Sequence, residues 1–263
     1  MASLKLPQVT LCAATSVNIE ATLAAFAASL DQVVFGEALL FTDARPANLP
    51  EGVRVVPISR LASGRDYSEF LLGELADQVR TDHCLVIQWD GFVVDAGRWD
   101  PAFLDFDYIG APWPQFRDGH DVGNGGFSLR SRRLLEACRS PGFIRSHPED
   151  VAIGRHNRTY LEHEFGIRFA DRATASRFAF ERSQPAGQTF GFHGIFNMIP
   201  VLGEDAFWRL YSSLDDRTTA YADTALLMRQ IGPGRRRLAR RGRLAIDRCR
   251  GMLGPHLGGK AKP

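Results

Sequence analysis

The chain has 263 residues, of which 44% are hydrophobic, so it can bury a sizeable core in one large or two small domains. Its four cysteines lie far apart without a CxxC pair, which argues against a structural zinc site and a secreted disulfide framework. The formal net charge of +2 averages two unlike regions, because arginine and lysine crowd the stretch from Arg235 onward. Residues 1–16 contain one lysine and no convincing signal peptide, and no run of about 18 apolar residues occurs. We therefore expect a soluble, cytoplasmic protein that is at most peripheral to a membrane.

Short apolar runs alternate with longer amphipathic stretches in the first half, which is typical of a sheet connected by crossover helices. In chain order the pattern predicts a strand over 8–14, a helix from Asn18 to Leu30, and strands over 38–41 and 53–58. A helix is predicted from Asp66, with Phe70, Leu71, Leu75 and Val79 on one face. A further strand is predicted over 84–87. The predicted fold class is therefore α/β.

Gln88, Trp89 and Asp90 follow the apolar run 84–87, which is too short for a helix and fits a central parallel strand. Ligands of open α/β sheets bind at the carboxyl ends of the strands, where the crossovers leave a crevice. A carboxylate placed there can hold a divalent metal against a diphosphate. The alternative for Asp90 is a turn residue whose carboxylate accepts backbone N–H groups, and the residues alone do not separate the two.

Gly125 and Gly126 belong to the stretch GNGGF over 123–127, which precedes a predicted strand over 127–129. Glycine lets the backbone approach a ligand closely because it has no Cβ, although a plain tight turn explains the stretch equally well. Ser131 is expected to cap a helix that runs through Cys138.

Glu149 and Asp150 follow Pro148 and begin another predicted helix. Asp150 could serve as a general base toward a hydroxyl group. Carboxylates in the first turn of a helix are also favoured by the helix dipole, and the residues alone favour this structural role. His193 could bind a metal, but a lone histidine among aromatic residues is more often part of a core.

From Ile167 onward the pattern becomes irregular, with spaced phenylalanines that suggest strands and a packed loop. Gly232-Pro233-Gly234 marks a boundary, so we predict one domain over 1–231 and a basic, partly helical or disordered tail over 232–263. Clustered arginines with interleaved apolar residues can bind anionic lipid or nucleic acid, and a solvated tail is an equal alternative. The tail lacks interleaved aromatic residues, so no nucleic-acid partner is expected.

Four segments occur in an order that resembles a known enzyme class: QWDGF at 88–92, NGGFSLRS at 124–131, PEDVAIGR at 148–155 and GFHGIFN at 191–197. Over roughly residues 8–200 this layout is similar to that of GT-A glycosyltransferases, above all the Fringe-like galactosyl- and N-acetylglucosaminyltransferases. It also resembles an uncharacterised bacterial domain-of-unknown-function family close to them. The resemblance implies a GT-A-like fold, with a mixed, mostly parallel sheet flanked by helices and a Rossmann-like nucleotide-binding half.

The resemblance further implies transfer of a sugar from a nucleotide-sugar, often a UDP-sugar, to a hydroxyl with inversion and with Mn²⁺ or Mg²⁺. It places the catalytic base at Asp150, with Glu149 beside it, and the metal ligands at Asp90 and His193. The implied donor-binding positions are Ala14, Thr15, Asp43, Gln88, Trp89, Asp90, Gly125 and Gly126. Gln88 stands where the metal-binding motif usually has its first carboxylate, so the metal affinity should be lower than usual.

The expected partners are a nucleotide-sugar donor and a glycan or lipid-linked acceptor of bacterial polysaccharide synthesis, with the basic tail in peripheral contact with the inner face of an anionic membrane. Two other functions stay open. A non-catalytic nucleotide-sugar or glycan-binding module would explain the missing carboxylate at Gln88. A nucleotidyltransferase would need a Gly- and Lys-rich phosphate loop near the amino terminus, where residues 13–16 instead read AATS.

Overall fold

The computed structural model describes residues 4–183 and 187–253. The chain divides into two compact units, Met1–His193 and Gly194–Pro263, and we refer to them as unit 1 and unit 2. The domain bounds predicted from the sequence, 1–231 and 232–263, stay a prediction. Its last part, residues 254–263, lies outside the described residues.

Unit 1 contains a six-stranded sheet. Its strands are β1 (Leu4–Ala14), β2 (Val33–Thr42), β3 (Val53–Pro57), β4 (His83–Ile87), β5 (Tyr108–Ile109) and β6 (Phe127–Ser131). They lie in the order β3-β2-β1-β4-β6-β5. The first four strands are parallel to one another, and β6 is antiparallel to both β4 and β5. The predicted fold class, a mixed and mostly parallel sheet flanked by helices, is confirmed.

The described residues of unit 1 also form seven α-helices. They are α1 (Ile19–Leu30), α2 (Gly64–Gly73), α3 (Leu75–Gln78), α4 (Arg132–Ala137), α5 (Glu149–Val151), α6 (Arg158–Phe165) and α7 (Arg172–Phe178). A π-helical turn over Ala152–His156 lies between α5 and α6. Two short parallel strands, β7 (Ala179–Phe180) and β8 (Gly191–Phe192), form a second small sheet.

Unit 2 is helical where it is described. Its helices are α8 (Met198–Leu202), α9 (Glu204–Ser213), α10 (Thr218–Ala222), α11 (Thr224–Gln230) and α12 (Arg237–Leu253). Phe207, Tyr211, Leu227 and Leu244 are among the buried side chains that these helices share. No helix in the described ranges is both long and apolar enough to cross a lipid bilayer.

The central strands are apolar because both faces of the sheet are covered. Cys12 of β1 lies opposite Leu39 of β2 and Val86 of β4, and all three side chains are buried. With Phe70 and Leu75 they belong to one hydrophobic cluster between the sheet and α2 and α3. Because β1, β2 and β4 are parallel, their carboxyl ends lie at one edge of the sheet. The predicted site residues that follow these strands begin at this edge.

Several local predictions agree with the structure. Ser131 caps α4, because its Oγ accepts a hydrogen bond from the N–H of Leu134 at 3.0 Å. The helix predicted from Asp66 starts earlier, at Gly64, where Ser63 Oγ accepts from the Asp66 N–H at 3.2 Å. The prediction of one continuous helix is wrong beyond Gly73, a poor helix former, because Leu75 lies in the separate helix α3 and Val79 follows its end in an extended conformation. All four cysteines are free thiols.

The prediction of strands and a loop after Ile167 is incomplete. Beyond the short strands β7 and β8, the structure contains α7 and the helices of unit 2. Asp171 caps α7 by accepting a hydrogen bond from the Thr174 N–H at 2.7 Å. These helices escaped the periodicity argument because most are short, so each offers too few turns for a clear apolar face.

Candidate functional site

The predicted site segments meet at the glycine pair Gly125-Gly126. The N–H of Gly125 donates a hydrogen bond to Oδ2 of Asp150 at 3.1 Å. A methyl group built on Gly126 would lie 2.0 Å from Nε2 of His193, and one built on Gly125 would lie 2.2 Å from Oε1 of Glu149. Glycine is required at both positions because side chains of the site occupy the space that a Cβ would need.

Gln88 and Asp90 occupy a tight turn directly after β4, in which the carbonyl of Gln88 accepts the N–H of Gly91 at 3.0 Å. Nε2 of His193 donates to Oε1 of Gln88 at 3.2 Å and lies 3.5 Å from Oδ1 of Asp90. No backbone N–H of the described residues donates to the buried Asp90 carboxylate, so the geometry does not favour the alternative of a plain turn residue. Gln88, Asp90 and His193 thus form one cluster, although His193 is 105 residues from Gln88 in the sequence.

His193 lies between two carboxylates. Its Nδ1 is 3.4 Å from Oε1 of Glu181, on the side of the ring away from Asp90. Burial lowers the pKa of His193, but the charge of Asp90 and hydrogen bonding to Asp90 and Glu181 outweigh this and raise the pKa to about 10. The imidazole therefore carries a positive charge at neutral pH in this arrangement, and a cation that binds at Nε2 would have to displace the proton from that nitrogen.

The cluster offers donor atoms that suit a divalent cation. The ligands of an octahedral Mg²⁺, bound at about 2.1 Å, lie about 3 Å from their neighbours. Nε2 of His193 is 3.2 Å from the amide oxygen of Gln88 and 3.5 Å from the carboxylate of Asp90, so these residues fit such an ion. In the part of the chain that the structure describes, no group of three His, Cys, Asp or Glu side chains could hold a metal ion. The third polar group of the cluster is the amide of Gln88.

Asp150 is partly buried at the start of α5. Besides the Gly125 N–H, it accepts the N–H of Val151 through Oδ1 at 2.8 Å. Burial and the neighbouring charge of Glu149 raise the pKa of Asp150 to about 6. A carboxylate with such a pKa is basic enough to accept a proton at neutral pH while still being mostly ionised.

Glu149 points away from Asp150 and into the protein, where it pairs with Arg130. Nη2 of Arg130 donates to Oε1 of Glu149 at 3.0 Å, and both side chains are buried. Nε of Arg130 donates to Ser128 Oγ at 3.0 Å, and Nη2 also approaches the carbonyl of Gly125 at 3.4 Å. Oε2 of Glu149 accepts from Ser68 Oγ at 3.4 Å. The ion pair between Arg130 and Glu149 thereby connects β6, the glycine pair Gly125-Gly126 and α5.

The remaining predicted donor-binding residues lie near the same edge of the sheet. Ala14 ends β1, and the N–H of Thr15 donates to the carbonyl of Phe41 at 2.9 Å. Asp43 follows β2 and is exposed. Trp89 is only 7% exposed, so its side chain belongs to the core. The structure places Ala14, Thr15 and Asp43 at the ends of strands at the same edge of the sheet as the cluster, and their role in donor binding stays a prediction.

Three residues of the site were not found from the sequence: Tyr67, Arg130 and Glu181. Tyr67 accepts a hydrogen bond from Nε2 of Gln88 at 3.0 Å, which orients the amide oxygen toward His193. For Arg130 a signal existed, because an arginine within a buried strand requires a partner. No signal in the sequence singles out Tyr67 or Glu181.

Solved structures with similar folds include three glycosyltransferases. One, involved in the glycosylation of the major capsid of PBCV-1, is 11% identical, covers 78% of this chain and 98% of its own, and has a TM-score of 0.41. An active-site mutant of LgtC is 13% identical, covers 79% and 97%, and has a TM-score of 0.43. The mannosyltransferase PcManGT from Pyrobaculum calidifontis, solved with GDP-Man and Mn²⁺, is 13% identical, covers 94% and 71%, and has a TM-score of 0.41.

The comparison with curated proteins found no match. Residues 52–193, more than half of the chain, match the family described as "Protein of unknown function (DUF5672)". The matched segment contains Gln88, Asp90, Gly125, Asp150 and His193. The chain therefore belongs to the DUF5672 family.

Proposed function

We propose that this protein is a nucleotide-sugar-dependent glycosyltransferase that transfers a sugar, with inversion, from a UDP-sugar to a hydroxyl group. The observation that carries the proposal is the glycine pair Gly125-Gly126, which lies against both Asp150 and His193. A candidate base and a candidate diphosphate-binding cluster are thereby brought to neighbouring residues at the carboxyl edge of a mostly parallel sheet. The order of the four sequence segments and their resemblance to GT-A enzymes support the same function.

In this mechanism Asp150 accepts the proton of the attacking hydroxyl. Its raised pKa of about 6 suits that task at neutral pH, and the N–H groups of Gly125 and Val151 fix the direction of the carboxylate. Glu149 acts through its buried bond to Arg130, which holds the start of α5, so it positions the base without touching the substrate.

Asp90, His193 and the amide oxygen of Gln88 would hold a divalent cation, Mn²⁺ or Mg²⁺. When bound, the cation would offset the negative charge that develops on the departing diphosphate. Tyr67 keeps the amide of Gln88 in the orientation that this requires, and Glu181 holds the opposite nitrogen of His193.

The acceptor in this proposal is a glycan or a lipid-linked glycan of a cytoplasmic, bacterial polysaccharide pathway. A lipid-linked acceptor would bring the enzyme to the inner face of the membrane, where the basic region of unit 2 can contact anionic lipid.

The proposal is tested by nucleotide-sugar binding and turnover. We expect one class among UDP-, GDP- and TDP-sugars to raise the melting temperature of the full chain. At a ligand concentration of 100 Kd, binding adds about 2.7 kcal/mol to the free energy of unfolding. Release of the nucleotide from that sugar would then be measured with and without acceptor. Stabilisation without any release would favour the non-catalytic binding module, which the amide at Gln88 keeps as the second candidate.

Manganese is expected to raise the affinity for UDP, because the cation would link Asp90 and His193 to the diphosphate. Asp90→Asn should reduce the manganese-dependent part of this affinity by about tenfold or more, as loss of supporting ligands does in metal sites. Calorimetric titration of UDP with and without manganese measures both effects. Asp31→Asn, at the exposed end of α1, is the matched control. An affinity that manganese leaves unchanged in the unaltered protein removes the metal from the proposal.

Gly126→Ala is expected to abolish the manganese effect and to lower the stability, because displacing His193 leaves the buried carboxylates of Asp90 and Glu181 without their positively charged partner. The new methyl group would collide with the His193 ring, which can rotate away but then leaves the cluster. Gly187→Ala controls for the substitution itself, because no atom of the described residues, apart from the chain neighbours of Gly187, lies within 4 Å of the added carbon. UDP titration together with thermal unfolding measures both properties. Retention of the full manganese effect in Gly126→Ala would show that His193 has no part in metal binding.

A further inference from the structure

The arginine-rich segment of unit 2 is a packed helix with one exposed face. Residues 235–250 contain eight arginines and a single acidic residue, Asp247. One face of α12 faces the interior of the unit: Leu244 is buried, and Asp247 accepts a hydrogen bond from the hydroxyl of Tyr211 at 3.0 Å. The segment is therefore held in a fixed orientation, and its outward face can be read directly.

That outward face carries an apolar stripe. Leu238 is 83% exposed and Ile246 is 53% exposed, although both are large hydrophobic side chains. Gly242, Ala245 and Cys249 are exposed as well. These residues stand at spacings of about one and two helical turns, so they share one side of the helix. We refer to Leu238, Gly242, Ala245, Ile246 and Cys249 as the outer stripe.

Arginines flank the outer stripe on both sides. With about 3.6 residues per turn, Arg241 and Arg248 fall on one side of it and Arg243 and Arg250 on the other. All but Arg241 are exposed, and Arg241 is half-buried. A helix with a narrow apolar stripe between rows of cations is the arrangement that lies flat in the interface of an anionic bilayer.

A groove beside the helix adds a second observation. It has a volume of about 650 Å³ and is lined by residues of α9 and α12 together with the preceding Arg236, among them Trp208, Arg209, Arg240 and Arg243. Arg240 is paired with Glu204 and Asp205, and Arg243 lies 3.7 Å from Asp247. Among the residues that the structure describes, the side chains of Arg209 and Arg236 form no hydrogen bond and no ion pair within 4 Å, although the charges of both help to lower the pKa of Asp205.

Trp208 lines the groove and carries an unsatisfied donor below its surface. Trp208 is only 8% exposed, and its indole Nε1 is buried without a hydrogen-bond partner in the described part of the chain. Two guanidinium groups without an ion pair within 4 Å form a site suited to phosphate oxygens, which accept several hydrogen bonds at once.

We propose that unit 2 docks on an anionic lipid membrane through α12, with the outer stripe in the interface and Arg209 and Arg236 bound to lipid phosphates. This rests on the proposed function only in that a lipid-linked acceptor gives the docking a purpose. A nucleic-acid partner would explain the arginines but would leave the solvent-exposed Leu238 and Ile246 without a role, and the outer stripe has no aromatic residue for base stacking.

The test measures sedimentation of the full chain with vesicles of phosphatidylcholine containing about one third phosphatidylglycerol, and with vesicles of phosphatidylcholine alone. We expect binding to the anionic vesicles that weakens as salt rises. Leu238→Gln combined with Ile246→Gln should weaken this binding by about tenfold or more, because the variant no longer transfers two apolar side chains from water into the bilayer interface. Ile144→Gln is the matched control, because Ile144 is 70% exposed in unit 1. Substitutions are preferable to deletion of α12, which would also expose the core around Leu244.

Arg209→Gln combined with Arg236→Gln should weaken vesicle binding by about 25-fold, at roughly fivefold for each arginine near an anionic surface. Arg45→Gln with Arg60→Gln, both exposed in unit 1, is the control pair and should change little. Absence of binding to anionic vesicles by a protein that still binds UDP overturns the docking alone. Salt-sensitive binding to an oligonucleotide without vesicle binding overturns it in favour of nucleic acid. If the protein binds anionic vesicles but no nucleotide-sugar, the membrane docking is supported and the proposed glycosyltransferase function is contradicted.

Discussion

Asp150→Asn is expected to lower the rate of sugar transfer by about 10²-fold or more while leaving UDP affinity nearly unchanged. The amide keeps the size of the side chain but cannot accept the proton of the attacking hydroxyl, which is the contribution of a general base. Single-turnover transfer and UDP titration, measured on the same preparation, separate the two effects. Near-normal transfer by this variant would remove Asp150 from the role of base.

The pH profile gives an independent reading of the same residue. Because burial and the charge of Glu149 raise the pKa of Asp150 to about 6, the active carboxylate form is lost as the pH falls through that value. The transfer rate of the unaltered protein should therefore fall about tenfold per pH unit well below pH 6 and level off above it. In Asp150→Asn the remaining rate should lose this acid limb. An acid limb at the same pH in the variant would assign it to another group.

Arg130→Met is expected to destabilise the protein by about 3–5 kcal/mol, because it leaves the Glu149 carboxylate buried without its charged partner. Arg130 is fully buried, and Glu149 is 4% exposed. Denaturant unfolding of the purified chain measures the loss. Replacing both partners, as Arg130→Met with Glu149→Leu, should recover much of the stability, because no unpaired charge then remains in the interior.

A neighbouring arginine offers the control. Arg132 forms an exposed ion pair with Glu136 at 3.1 Å, and pairs of this kind contribute at most about 1 kcal/mol. Equal losses in Arg132→Met and Arg130→Met would contradict the importance assigned to the buried pair. Arg130 also lowers the pKa of Asp150, so any transfer activity that Arg130→Met retains should show its acid limb at a higher pH.

Local patterns predicted the central part of the fold well. The run over residues 84–87 was long enough for a strand and too short for a helix, and the structure has β4 at His83–Ile87 between β1 and β6. Ser131 was found as a helix cap because a cap depends on residues within one turn of each other. The short helices after Ile167 were missed, since packing against distant residues decides them more than their own periodicity does.

The candidate site shows the same limit. Gln88, Asp90, Asp150 and His193 were singled out by residue type and order, and the structure places Gln88, Asp90 and His193 in one cluster. Why Gly125 and Gly126 must be glycine became clear only from the side chains of Glu149 and His193 that fill the space beside them. That Glu149 faces Arg130, away from the candidate substrate side of Asp150, is likewise a matter of how α5 lies on β6.

The sequence by itself determined the α/β class, the strand ends at which polar residues gather and the segments that carry chemistry, because apolar periodicity and capping act over a few residues. Only the tertiary structure decided which of these residues meet. Arg130 and Glu149 are 19 residues apart and His193 and Gln88 are 105 apart, so their contacts depend on strand order and on the direction of β6. The arginine-rich segment changed most: its composition indicated a basic tail, whereas burial of Leu244 and Asp247 makes it a packed helix and thereby decides that Leu238 and Ile246 face outward.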